Sequence, residues 1–482
     1  MRVLMLSTYE LGHQPLGIAV PAAALEMAGH DTLGCDLSIS GLPPHALAWA
    51  DAAAISVPMH TATQLGLAAV ASIRRSRPAL PVAWHGLYAP ALSGNELVGV
   101  DDLLVAGEAV PALLEWLQAL ETAEPGRRQQ SAQPAVRIEL GPARPGRAGT
   151  VPLRRDLQSL EQYSHLKVRG REIVAASVAA STGCNHRCRH CPVAAIYQGR
   201  SRAVSPDLVI EDVGQVVAAG AGHISFADPD FLNRPRHALE VARRLHSQFP
   251  AVTFDATVKV EHILTHEKLW PELAASGLLF VVSAFESVDD HILALLDKGH
   301  GVADLAAALA IARSAGVEVR PSWLPFTPWT TLESFAALLQ FVAEHDLVLS
   351  TDPVQYSIRL LLPSGSLLLE PPPPEQMDST LGSCIGEVVG GSTTWTAPDV
   401  ALDELAAEIA ARAEAAGDEP LDVTFAAIWQ LARQAGAPLD ASPPKSKVAP
   451  WLAGADRARL SESWFCCAEP TGAQLRRLRT PA

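Results

Sequence analysis

Two blocks of this chain alternate short apolar runs with helix-length patterns, and a stretch rich in Pro, Gly, Gln and Arg over residues 121–150 separates them. Short apolar runs bounded by turn residues fit buried strands, and strands alternating with helices build parallel sheets. In the first block the expected strands are 2–7, 32–36, 52–57, 81–84 and 102–106, with helices over 20–28 and 63–74. That order predicts a doubly wound, Rossmann-like sheet in residues 1–120, with ligands bound at the carboxyl ends of its strands. Residues 9–17, 59–63 and 85–88 fall there. In the second block the expected strands are 173–180, 223–226, 252–257, 278–284, 317–322 and 353–357. Six βα units of this size predict a partial (β/α)6 barrel over 151–370. The segment 121–150 reads as a linker. Residues 371–482 read as a helical region, with helices over 401–416 and 423–435 and a polar, mobile tail.

At 482 residues the chain exceeds one ordinary domain. Its formal net charge of −15 argues against nucleic acid and anionic membranes as partners. No run approaches the roughly twenty apolar residues of a membrane span. The first residues lack the pattern of a secretory signal. The expected location is the cytoplasm. Seven cysteines stand at 35, 184, 188, 191, 384, 466 and 467. An odd, clustered set points to metal or redox chemistry in a reducing compartment rather than a disulfide framework. Cys35, alone in a strand, reads as a small core residue.

The sequence Gly183-Cys184-Asn185-His186-Arg187-Cys188-Arg189-His190-Cys191-Pro192 follows the first expected barrel strand. Three thiolates on one loop can bind three irons of a cubane cluster and leave the fourth iron open. Zinc is the alternative, because His186 or His190 could close a tetrahedral shell.

This motif at the mouth of a βα barrel resembles the radical SAM superfamily over roughly 151–370, in the branch that carries B12-binding domains. The resemblance implies a [4Fe–4S] cluster on Cys184, Cys188 and Cys191, with S-adenosylmethionine (SAM) bound at the open iron. Asp228 and Asp230, in Ala227-Asp228-Pro229-Asp230 after the second strand, stand where the family contacts the SAM amino group. Glu286 and Ser287, followed by Lys298-Gly299, look like that branch's ES…KG pattern near the ribose and methionine. Arg359 would pair with the SAM carboxylate through its fork of donors. The bland reading of each is a solvated loop charge or a helix cap. Tyr197 and Gln198 are further candidates, or packing residues. The implied reaction is reductive cleavage of SAM, giving methionine and a 5′-deoxyadenosyl radical that attacks a small-molecule substrate. A flavodoxin or ferredoxin would supply the electron.

The first block resembles a cobalamin-binding domain, which makes cobalamin-dependent methylation one expected activity. Its D-x-H-x-x-G loop is absent; 10–17 only approximates it. His13, His60 and His85 lie on the expected binding edge. Near the end, Cys466-Cys467-Ala468-Glu469-Pro470 matches the CUAEP/CCAEP-tail radical SAM proteins, some of which carry selenocysteine at the position of Cys467. That makes Cys466 and Cys467 candidate catalytic residues. Two rival functions follow: radical carbon transfer to a sulfur, selenium or arsenic acceptor held by this pair, and a cluster-based redox sensor with the tail as its switch.

Overall fold

A computed structural model describes residues 1–122, 135–139, 150–371, 378–448, 451 and 457–479. The N-terminal sheet runs β1 Arg2–Ser7, β2 Asp31–Asp36, β3 Ala52–Ser56, β4 Val82–His85, β5 Leu103–Gly107 and β6 Ala135–Glu139, all parallel. Val3 to Leu6 and Ala52 to Ile55 are fully buried. Such continuous apolar runs belong to strands covered by helices on both faces. The spatial order β2-β1-β3-β4-β5-β6 reverses direction between β1 and β3. That crevice is the topological switch point, where folds of this order bind ligands.

β6 corrects the linker expectation, since residues 135–139 pair with β5. The remaining linker residues 123–134 and 140–149 lie outside the described residues. Val136 and Ile138 on this edge strand are exposed, so no buried apolar run announces it.

The second sheet contains β7 His165–Val168, β8 Arg171–Val178, β11 His223–Phe226, β12 Thr253–Thr257, β13 Leu278–Glu286 and β14 Glu318–Trp323. The small hairpin β9 Ser181–Gly183 and β10 Ser201–Ala203 lies between β8 and β11 in the chain. β8, β11, β12, β13 and β14 form a parallel half-barrel. The expected sixth strand, 353–357, instead begins a 3₁₀ turn, Pro353–Tyr356. Proline there cannot donate to a ladder. Parallel pairing resumes as a bridge between Phe326 and Arg359.

After the hairpin β15 Ile385–Val389 and β16 Ser392–Trp395, the helices Val400–Ala416 and Leu421–Gln434 pack Leu405, Ile409, Phe425 and Trp429 into the barrel core. The tail then corrects a second expectation. β17 Arg459–Leu460 pairs antiparallel with β7, and buried Arg457 grips Asp346 at 2.5 Å. The chain from there to the helix Gly472–Arg479 is tied down. Of the Pro run, 372–374 lie outside the described residues. Among the described residues no helix is long and apolar enough to cross a membrane.

Loops at the carboxyl edge of the first sheet touch the barrel. Ser164 N donates to Gly12 O at 2.7 Å, Arg154 to Gln14 at 3.2 Å, and Thr182 Oγ1 to Glu108 at 3.1 Å.

Candidate active site

Gly183 ends β9 at φ +72°, and a Cβ there would lie 2.3 Å from the Arg200 carbonyl. Only glycine takes that turn without strain, and it launches the cysteine loop. Asn233 anchors the loop's first half by accepting from Asn185 N at 3.0 Å, with Cys184 Sγ 3.7 Å from the same oxygen. Leu296 O holds its second half through Arg189 N. Cys191 caps the short helix Pro192–Tyr197. Burial pushes the Cys191 thiol up to about 12, with Cys188 and Cys184 adding to it, and raises Cys184 as well.

The loop's two histidines are engaged elsewhere. His190 Nε2 lies 3.1 Å from Glu286, whose other partner is Lys298 Nζ, also at 3.1 Å. Burial would raise the Glu286 carboxyl, but Lys298 and His190 outweigh it and hold it well below the usual range. Lys298 is only 3% exposed and feels the charges of Cys188 and Cys191 as well as Glu286. His186 Nδ1 accepts from Lys259 at 3.1 Å, which leaves Nε2–H facing His262 Nε2 at 3.2 Å. His262 Nδ1 in turn sits 2.8 Å from buried Asp230. His186, Asp230 and His262 have ligand atoms within 4.8 Å of one another and could also hold a metal.

The sequence candidates thus divide. Glu286, Asp230 and the cysteines converge around one loop. Asp228 is buried with both oxygens used, accepting from Ala180 N at 2.8 Å and from Ser181 Oγ. Burial lifts it to about 7. It braces the strand that carries the loop. Ser287 Oγ accepts from Asp289 N at 3.1 Å. Arg359 departs from expectation: it pairs with Asp403 at 2.5 Å and stacks on Trp395 with 4.1 Å to the ring centroid. The helix after β16 claims the fork expected to meet the SAM carboxylate.

The tail enters the space between sheet and barrel. Tyr9 Oη donates to Trp464 O at 3.2 Å, Thr61 Oγ1 to Ala468 O at 2.7 Å, and His60 Nε2 meets Glu469 at 2.8 Å. Cys466 Sγ and Cys467 Sγ are half-buried and 3.6 Å apart. The Cys466 thiol, then burial, holds Cys467 well above the usual thiol range, with Glu286 and Cys191 contributing. Tyr88, raised first by burial, responds to Cys467, Cys466 and Cys191 together. Tail pair and cysteine loop are therefore electrostatic neighbours.

Residues 178–342 match the family model of the radical SAM superfamily. The barrel is a radical SAM domain. Over 180 residues the chain is 22% identical to the hopanoid C-2 methylase of Rhodopseudomonas palustris (strain TIE-1), a match covering 36% of this chain and 34% of that protein. The chain thus spans about a third of that curated relative. Among solved structures it resembles the cobalamin-dependent S-adenosylmethionine radical enzyme OxsB with aqua-cobalamin and SAM bound. There the TM-score is 0.66 at 13% identity, over 86% of this chain and 66% of that one. It also resembles the radical SAM methyltransferase TsrM from Kitasatospora setae with tryptophan and a SAM analogue bound, with TM-score 0.54, 18% identity and 70% of each chain. At these identities the likeness is one of fold.

The radical SAM family uses a [4Fe–4S] cluster with SAM, and the donors in this radical SAM domain fit a cluster. Buried, mutually repelling thiols resist ionisation unless a polycation reverses the balance. With both loop histidines turned to other partners, the donor set is three sulfurs and an open corner rather than a closed zinc shell. A corrin fits less readily. The tail crosses the switch point, and the cavity left beside Tyr9, Gly12 and Glu462 is about 300 Å³, the small end of ligand pockets. His85 Nε2 and Ser7 Oγ nonetheless stay without partners on that edge.

Lys259 and His262 escaped the motif reading, whereas Glu10, Thr61 and Tyr88 fall within the segments expected at the binding edge, without a role of their own. The available signal was position, since each stands just after a strand on the carboxyl edge.

Proposed function

We propose that this radical SAM enzyme binds SAM beside the cysteine loop and the Glu286–Lys298 pair and modifies a small molecule by radical chemistry. The observation that carries the reading is the loop of three cysteines, Cys188 buried and Cys184 and Cys191 half-buried, whose two histidines are committed to Glu286 and to Lys259 and His262. When bound, the cluster supplies one electron, received from a flavodoxin- or ferredoxin-like donor, and SAM supplies the bond that breaks. The chain's own residues do the positioning. Lys298 places positive charge next to Cys188 and Cys191, which offsets the charge of an anionic cluster. Glu286 stays ionised and presents acceptor oxygens to SAM. Ser287 fixes the following turn, Asp228 braces the strand that carries the loop, and Asp230 caps the 3₁₀ turn Phe231–Asn233 by accepting from Leu232 N at 3.0 Å. Arg359 is assigned no contact with SAM, because Asp403 and Trp395 hold it.

Cobalamin-dependent methylation is the finer reading. The fold likeness to OxsB and the unpartnered His85 and Ser7 support it. The docked tail weighs against it, so no step is derived through a corrin.

The test is anaerobic reconstitution, reduction in the presence of SAM, mass spectrometry of the SAM fragments, and counts of iron and cobalt. About four irons per chain and cleaved SAM, both lost in Cys184→Ala, are expected. Zinc in place of iron with intact SAM overturns the reading. Iron with intact SAM favours the redox sensor. Cobalt retained by the isolated protein decides for the methylation branch.

A further inference from the structure

The tail of this chain is seated where a fold of this order keeps its ligand. At the β1/β3 switch point, Thr61 N and Oγ1 both lie within hydrogen-bond distance of tail carbonyls. The N–H donates to Cys466 O at 3.3 Å, and the hydroxyl reaches Ala468 O at 2.7 Å. His60 clamps Glu469, and Trp464 packs with Tyr9, Leu65, Leu475 and Leu478. A segment held by this many contacts is positioned by the fold. Its position packs Cys467 against the barrel core, where Glu286 and Cys191 are close enough to influence it.

The spacing of the thiols is informative. Disulfide sulfurs stand ~2.0 Å apart. Two sulfurs bonded at ~2.3 Å to one tetrahedral centre stand about 3.8 Å apart. The observed 3.6 Å between Cys466 Sγ and Cys467 Sγ is a non-bonded thiol contact, too long for a disulfide and short enough for one centre to bridge both sulfurs. Among the described residues neither sulfur has a further hydrogen-bond partner, and both are partly open to solvent. Soft thiolate pairs select soft, thiophilic centres over hard cations.

We propose that Cys466 and Cys467 form a chelating dithiol site for a single soft, thiophilic substrate centre, held at the switch point so that it faces the cluster loop. Binding is redox-neutral. Two bonds form from the sulfurs to the centre and two bonds from the centre to oxygen break, and the two thiol protons leave with that oxygen, as one water from an oxo group or two waters from two hydroxides. The proposal rests on the radical SAM reading only for what the held centre faces. The site itself can be tested without turnover.

The probe is phenylarsine oxide, which condenses with two thiols to give one cyclic dithioarsonite and one water. Cluster-loaded protein is treated with one equivalent, and the remaining free cysteines are then alkylated and mapped. The expected result is one phenylarsenic per chain, with Cys466 and Cys467 protected together, iron content unchanged, and Cys35 and Cys384 unaffected. Cys466→Ser or Cys467→Ser should each weaken binding by on the order of 10²-fold, the advantage of the second, intramolecular bond. Protection mapped in the unmodified chain keeps the test valid if either variant folds poorly. The proposal fails if the pair remains alkylatable, if only one of the two is protected, or if the arsenical enters the cysteine loop and releases iron. Iron content and SAM cleavage, measured on untreated protein, report separately on the radical SAM reading.

Discussion

At the barrel mouth, polar groups are buried as a charged set: Glu286 lies between Lys298 and His190, 3.1 Å from each. On the facing edge of the N-terminal sheet, polar groups are covered by the chain's own tail through hydrogen bonds to tail carbonyls such as Thr61 to Ala468 O, together with the His60–Glu469 contact at 2.8 Å. The two coverings differ in kind. A buried ion pair that loses one member leaves an uncompensated charge, at a cost of about 3–5 kcal/mol. A single neutral hydrogen bond contributes about 1 kcal/mol. The mouth is therefore held by a few strong charged contacts, whereas the tail is held by a larger number of individually weaker ones.

The comparison is broken most severely at the cysteine loop. Cys184→Ala should abolish both iron binding and SAM cleavage while leaving the N-terminal sheet intact, as seen by retained β-sheet circular dichroism and a normal elution volume. Retention of four irons would show that the loop is not the cluster ligand. Next in size is Lys298→Met, which strands the Glu286 carboxylate in a buried site. A loss of about 3–5 kcal/mol in denaturant unfolding is expected. A change under 1 kcal/mol would mean that water reaches the pair and that the mouth is not the strongly held partner described above.

Much of this contrast was legible in the residues. Strands β1, β3, β4 and β5 were visible because both faces of each are buried, which writes an uninterrupted apolar run into the sequence. β6 was not, because Val136 and Ile138 face outward on an edge strand. The sixth barrel strand was overcalled because 353–357 is apolar enough for a strand, while Pro353 turns it into a 3₁₀ helix. In the site, the cysteine spacing and the Glu286…Lys298 separation carried chemistry that local sequence can display. The fate of Arg359 could not be read that way, since Asp403 and Trp395 are distant in the chain. The tail's docking was hidden for a similar reason. Its anchors, Tyr9 after the first strand and His60 and Thr61 at the start of the helix His60–Ser76, lie some four hundred residues away, and nothing local links them to the tail.

A smaller effect tests the cover itself. Thr61 carries one hydroxyl proton, so of the nearby tail carbonyls it serves mainly Ala468 O, at 2.7 Å. Thr61→Val should cost about 1 kcal/mol. Its clearer signature is kinetic: Cys466 and Cys467 should alkylate faster while Cys184, Cys188 and Cys191 in the cluster-loaded protein do not. If all five accelerate together, the tail and the mouth form one cooperative unit, and the contrast between them disappears.

The smallest effect concerns Glu10, beside the same switch point. Its carboxylate accepts from Gly17 N at 2.9 Å, where the helix Leu16–Met27 begins. Burial, reinforced by the charge of Asp36, pushes the carboxyl up to about 8. An acid whose folded pKa lies above its ordinary value near 4.5 favours the folded state while protonated. That contribution is complete below about pH 4.5, declines as the unfolded chain ionises, and is gone above about pH 8. Glu10→Gln keeps an acceptor for Gly17 N and removes the titration. The melting temperature of the variant should therefore match the parent near pH 4.5, exceed it progressively toward pH 8, and run parallel to it above that. A gap that stays constant with pH would show that Glu10 is solvated and that the edge beneath the tail is wet. A gap that grows as described would place the tail over a dry, ion-poor edge, opposite a mouth built from buried charge.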